Sequence, residues 1–225
     1  MKEQSVKTLT RNQSVPQLIF TVLKLSIPAM LAQISSVAMQ YIDSAMVGSL
    51  GANASAAIGL VSTSTWLVGG FCIAFATGFS VQSAQLIGAE KPAQAAGVLR
   101  QSLICALIFG CGLAVVGASI SHILPLWLGG DTAIHSDAAH YFMIYSLALP
   151  FVQIRQLSGS MLQSSGDMKT PSILNALMCG LDILFNGLLI FPGRSVVLGG
   201  FAFDIPGANL GVAGAALGTA LSEMV

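Results

Sequence analysis

Long apolar runs separated by short glycine- and proline-bearing breaks make up most of this chain. A bilayer hydrocarbon core of about 30 Å takes about 20 apolar residues of helix to cross. Six segments meet that length: Leu25–Gly48, Ala54–Ser80, Gln94–Ser121, Ala138–Leu162, Pro171–Pro192 and Gly207–Val225. The second runs on past the bilayer through SVQSAQLIGAE. The breaks are Gly51-Ala-Asn53, Gly88 to Pro92, Leu128-Gly-Gly-Asp131, Gly166-Asp-Met-Lys-Thr-Pro171 and the Gly/Pro-rich stretch 192–207. Glycine supplies positive φ in such turns, and proline is tolerated at a helix start. The pattern predicts an all-α, polytopic integral membrane protein: a polar N-terminal arm over residues 1–24, then a six-helix transmembrane domain over residues 25–225.

Polar residues inside the apolar runs are few and regularly placed. In the first segment Gln33, Ser36, Gln40 and Asp43 are spaced by three or four residues, which puts them on one helix face. In the fifth, Asn175, Cys179, Asp182 and Asn186 form a second such stripe. A carboxyl group within a membrane helix is costly, by about 2.5–3.5 kcal/mol on insertion scales, and marks function by default. Counting 1.5 Å per residue back from the helix ends puts Asp43 and Asn186 each about 8 Å deep, Asp182 about 14 Å and Thr219 about 18 Å. Oxygen-bearing side chains from three helices at similar depth suit a shared proton or a sodium ion, since hard cations prefer carboxylate, amide and hydroxyl oxygens. Two structural alternatives stand beside this reading: Asp43 as a wet helix-end residue, and Asp182 as a hydrogen-bonding partner of a neighbouring helix. Pro28 removes a backbone hydrogen bond near one end of the first helix and offers a hinge there.

Composition sharpens the class. Hydrophobic residues make up 54% of the 225 and charged residues only 8%, with nine basic against nine acidic side chains. Soluble domains carry about 25% charged residues, so a water-soluble enzyme, a disordered chain and a nucleic-acid binder are all excluded. Sidedness says more than net charge. With the N-terminus in the cytoplasm, Lys2, Lys7, Arg11, Lys24, Lys91, Arg100, Arg155 and Lys169 flank the inner ends, and only Arg194 falls outside. This positive-inside bias predicts a plasma-membrane protein with both ends cytoplasmic. Arg155, roughly 10 Å from the inner end of its helix, reads as snorkelling to the headgroups. His122, His135 and His140 read as interfacial residues. Trp66, Phe71, Phe75 and Phe79 read as lipid-facing or packing residues. The glycines at 69–70, 110, 112 and 211–218 read as close-packing positions. Cys72, Cys105, Cys111 and Cys179 lie in apolar runs without metal-ligand spacing, so neither a disulfide framework nor a zinc site is expected. The sixth segment ends as it reaches the inner face, which predicts a fragment of a longer protein.

Five stretches then carry a resemblance: LSIPAM at Leu25–Met30, YIDSAMVGSLGA at Tyr41–Ala52, QLIGAEKPAQA at Gln85–Ala95, QSSGDMKTP at Gln163–Pro171 and GVAGAALGT at Gly211–Thr219. In this order and at these helix positions, the chain resembles the N-terminal half of a MATE (multidrug and toxic compound extrusion) transporter. The resemblance implies twelve helices in two lobes, with the C-terminal lobe absent here. It also implies alternating-access antiport of cationic organic compounds, driven by protons or sodium and needing no cofactor. The family's N-lobe cation site uses an aspartate on helix one, an Asn/Asp pair on helix five and a threonine on helix six, which maps to Asp43, Asp182 with Asn186, and Thr219. Helix five departs from a common pattern: Asn-xxx-Asp there is Asp182-xxx-Asn186 here. Two rivals are a lipid-linked precursor flippase of the related superfamily and a non-transporting six-helix scaffold or remnant.

Overall fold

A computed structural model describes residues 15–198 and 201–224. It contains seven helices and one β-hairpin: α1 Val15–Gly48, α2 Ala52–Gly88, α3 Pro92–Ile120, α4 Leu124–Trp127, α5 Thr132–Ser164, α6 Lys169–Leu189, β1 Pro192–Leu198, β2 Phe201–Ala208 and α7 Gly211–Met224. Three of these helices, α2, α3 and α6, are each long and apolar enough to cross a membrane. The protein is a helical, polytopic membrane protein.

Several boundaries differ from the sequence expectation: α5 begins at Thr132 and not at Ala138, and α7 at Gly211 and not at Gly207. Helix α1 begins at Val15 and not at Leu25, because the apolar pattern of Ile19, Phe20, Val22 and Leu23 continues straight through Lys24. The remainder of the expected arm, residues 1–14, lies outside the described residues. The Gly/Pro-rich stretch before the last helix is not a plain loop but an antiparallel hairpin, with Val196 paired to Phe203 and Val197 to Ala202. Its β-branched and aromatic residues favour a strand, a signal hidden by the flanking glycines and prolines. Pro28 lies within the continuous α1; its side chain is outside the described residues.

Helices α5 and α6 start where an aspartate caps them. Asp131 accepts from the Ala133 N–H at 3.0 Å at the head of α5. Before α6, Gly166 turns the chain at φ 86°. Asp167 then accepts from the Lys169 and Thr170 N–H groups, at 3.2 and 3.1 Å, and from the Thr170 hydroxyl at 2.6 Å. Such caps satisfy N–H groups that have no partner within the helix.

Packing is by small residues and small clusters, not one thick core. Ser102, Ala106, Gly110, Ala114 and Gly117 form the buried stripe of α3, laid against α5. A Cβ on Gly110 would stand 2.8 Å from the Pro150 Cα, and one on Gly117 would strike the Ser146 side chain. Three apolar clusters fill the remaining contacts, among them Val47, Ala54, Ile190, Val212 and Ala215 beside the site described below. Large apolar side chains cover the outside: Trp66, Ile108 and Ile173 are each about two-thirds exposed or more. In lipid these surfaces need no cover, and helix association rests on close backbone approach.

Gly110→Val is therefore expected to destabilise the purified protein by about 1–3 kcal/mol, through forced separation of α3 and α5. Gly112→Val, whose added carbon meets open space, should leave the thermal midpoint in detergent nearly unchanged.

Candidate functional site

The β-hairpin returns the chain so that α7 runs antiparallel beside α6. Three backbone hydrogen bonds zip the junction: Asn209 N–H to Phe191 O at 3.1 Å, Leu210 N–H to Leu189 O at 2.9 Å and Gly211 N–H to Ile190 O at 3.2 Å. From that junction the two helices keep a residue-for-residue register. Gly214 lies against the Leu189–Ile190 backbone, Gly218 against Asn186, and Ser222 against Asp182. The four-residue spacing on each helix keeps these small α7 positions facing the two polar residues of α6.

At the centre sits Asn186, fully buried. Its Nδ2 donates to Asp43 Oδ1 of α1 at 2.8 Å and to Asp182 Oδ2 of its own helix at 2.9 Å. Asp182, also fully buried, accepts at Oδ1 from the Ser222 hydroxyl at 3.2 Å, a hydroxyl also 2.8 Å from the Thr219 carbonyl. Asn186 Oδ1 has no hydrogen-bond partner and faces Gly218, where even a methyl group would collide with it. Tyr141 of α5 packs beside this group and lies within electrostatic range of both carboxylates. Among the described residues neither carboxylate is in a salt bridge; the one ion pair described is Arg155–Glu223. Two acidic groups, one amide and no paired base make a site suited to taking up positive charge, as a proton or a hard cation.

The expected residues divide three ways. Asp43, Asp182 and Asn186 come together in one hydrogen-bonded group. Thr219 does not join it: its hydroxyl turns back to the Ala215 carbonyl at 3.1 Å, because the α7 face toward Asp182 is set by Ser222, three residues further on. Gln33, Ser36 and Asn175 line a separate cavity of about 730 Å³, while Gln40 lies on the exposed side of α1.

That cavity opens where α5 ends and α6 begins, and Ser222 and Glu223 of α7 also line it. Arg155 does not snorkel free; it lines the cavity and pairs with Glu223 through Nε to Oε2 and through Nη2 to Oε1 at 3.1 Å. Sequence reasoning missed Ser222, Tyr141 and this ion pair. The repeat of small residues Gly214-xxx-Gly218-xxx-Ser222 was the available signal for the first.

The lobe thus brings a buried and a half-buried carboxylate together at the meeting of three helices, beside an open cavity. Residues 28–188 match the MatE family, and the chain belongs to it. It is 26% identical over its whole length to a probable multidrug resistance protein NorM of Thermotoga maritima, covering 46% of that protein. It is 24% identical to an FAD transporter of Shewanella oneidensis, over 90% of this chain and 42% of that one. The fold matches an outward-facing multidrug resistance MATE transporter of the MOP superfamily at a TM-score of 0.77 and 24% identity, over 90% of this chain and 42% of that one. The chain thus spans about half the length of the relatives it matches.

Gly218→Ala should push the Asn186 amide off the carboxylates. Since a hydrogen bond to a charged group is worth about 1.5–3 kcal/mol, the thermal midpoint of the purified protein in detergent should fall by several degrees. Gly187→Ala, with open space around it, should match the parent.

Proposed function

We propose that this chain is the N-terminal lobe of an ion-coupled exporter of small organic compounds, with Asp43, Asp182 and Asn186 as the coupling site. The observation that carries the reading is the Asn186 amide, held between two carboxylates with no basic partner among the described residues. Uptake of a proton or sodium ion there replaces the amide as the group that relieves their repulsion. The amide is then free to move, and α1 loses its tie to α6. Asp43 holds the Asn186 amide across the packed α1–α6 face, so release at Asp43 removes a polar restraint on movement of α1 relative to the α6–α7 pair. Pro28 is the hinge proposed for that shift. Ion binding at one face of the lobe and opening at the other are thereby linked through a shared helix, which is what alternating access requires.

The names of the relatives support export of organic molecules, and the resemblance implies cationic ones. The second lobe of such a transporter would complete the substrate cavity. A passive scaffold has no use for a buried carboxylate joined to a half-buried one, which favours the transporter.

Asp43→Asn and Asp182→Asn are each expected to lower ion-gradient-driven efflux by the intact protein at least about tenfold. Normal gradient-driven efflux by both variants would overturn the coupling role. Orientation is tested separately. In a background lacking the four native cysteines, Lys91→Cys and Lys169→Cys should react with an impermeant thiol reagent only after the cells are permeabilised. Arg194→Cys should react in intact cells.

A further inference from the structure

The cavity beside the coupling site carries an asymmetry of charge. Its neutral polar lining comes from glutamine, serine and asparagine side chains, and its charged residues are Arg155 and Glu223. Both Glu223 carboxylate oxygens are taken by the guanidinium, and the side chain is only 10% exposed against 35% for Arg155. A guanidinium has five N–H donors. Glu223 takes the Nε/Nη2 edge, and Asn175 Oδ1 stands at the long distance of 3.5 Å from Nη1. These contacts leave one further N–H on each of Nη1 and Nη2, on the more exposed partner. A ligand cation entering this cavity meets a carboxylate already covered; a ligand carboxylate meets a guanidinium with donors to spare.

We propose that Arg155 is a substrate-specificity residue of this cavity and that the compounds it selects carry a carboxylate. This rests on the cavity being the substrate site of the exporter proposed above, and it replaces the cationic class implied by resemblance with anions and zwitterions. The carboxylate binds the open Nη1/Nη2 edge while the apolar body of the compound packs on Phe151, Leu177 and Met178, which line the same cavity. Glu223 holds the guanidinium in place and, as a neighbouring negative charge, also weakens the bound carboxylate. Removing the Glu223 charge should therefore tighten binding.

The test is equilibrium binding to the purified intact protein in nanodiscs, without an ion gradient, read by fluorescence polarisation. Two probes are used: a xanthene dye with a free carboxylate and the methyl ester of the same dye. The free acid should bind about tenfold more tightly than the ester. Glu223→Gln should tighten the acid and leave the ester unchanged. The double variant Arg155→Gln/Glu223→Gln, which strands no buried charge, should bring the acid down to the affinity of the ester. Equal binding of the two dyes by the parent protein, tighter binding of the ester, or equal weakening of both dyes in the double variant would overturn the proposal. A transport defect in Asp43→Asn or Asp182→Asn bears on ion coupling alone, so failure of that reading shows in efflux and failure of this one in dye preference.

Discussion

Two neighbouring carboxyl groups, one buried and one half-buried, with no basic side chain in salt-bridge contact among the described residues, set the constraint around which this lobe is arranged. Held together without help they would repel, and each would lose its hydration. The Asn186 amide meets both demands with a single nitrogen, whose two hydrogens reach one carboxylate each. Asp182 gains a second donor from Ser222. The arrangement holds the pair in a defined geometry yet leaves its charge uncancelled, a condition that favours uptake of a cation or proton over permanent neutralisation.

The amide can stand there only because α7 comes so close to α6. Small residues at every fourth position of α7 admit the backbone at Ile190, the Asn186 side chain and the Asp182 carboxylate in turn. The hairpin fixes which residue meets which, since the hydrogen-bonded junction sets the register at one end. A slip of one residue along this seam would bring Thr219 or Leu217 to the place of Gly218 and close the space that Asn186 occupies. The polar chemistry of the site thus depends on a packing feature with no polar atom of its own.

Much of this was legible in the chain. The spacing of Asp43 with Gln40 and of Asp182 with Asn186 placed each pair on a helix face, and counting rise per residue brought the two faces to a common depth. The third helix was harder. Its start depends on where the preceding strand releases the chain, and moving that start from Gly207 to Gly211 changes which residue stands opposite Asp182. Depth counting selected Thr219; the register selected Ser222. Arg155 and Glu223 lie far apart in sequence, on helices whose mutual rotation periodicity does not reveal. Arg155 read as a snorkelling charge and Glu223 carried no signal of its own; only the fold shows that they meet in a cavity.

The hairpin connection between α6 and α7 also bears on how such a site enters a membrane. Asp182, Asn186 and Ser222 all belong to one helix–hairpin–helix unit, and only Asp43 arrives from a remote part of the chain. A bare carboxyl group is costly in a bilayer, but the unit as a whole presents Asp182 already hydrogen-bonded on both of its oxygens. The costly group can therefore cross the lipid inside its own pair of helices, before α1 docks and completes the site.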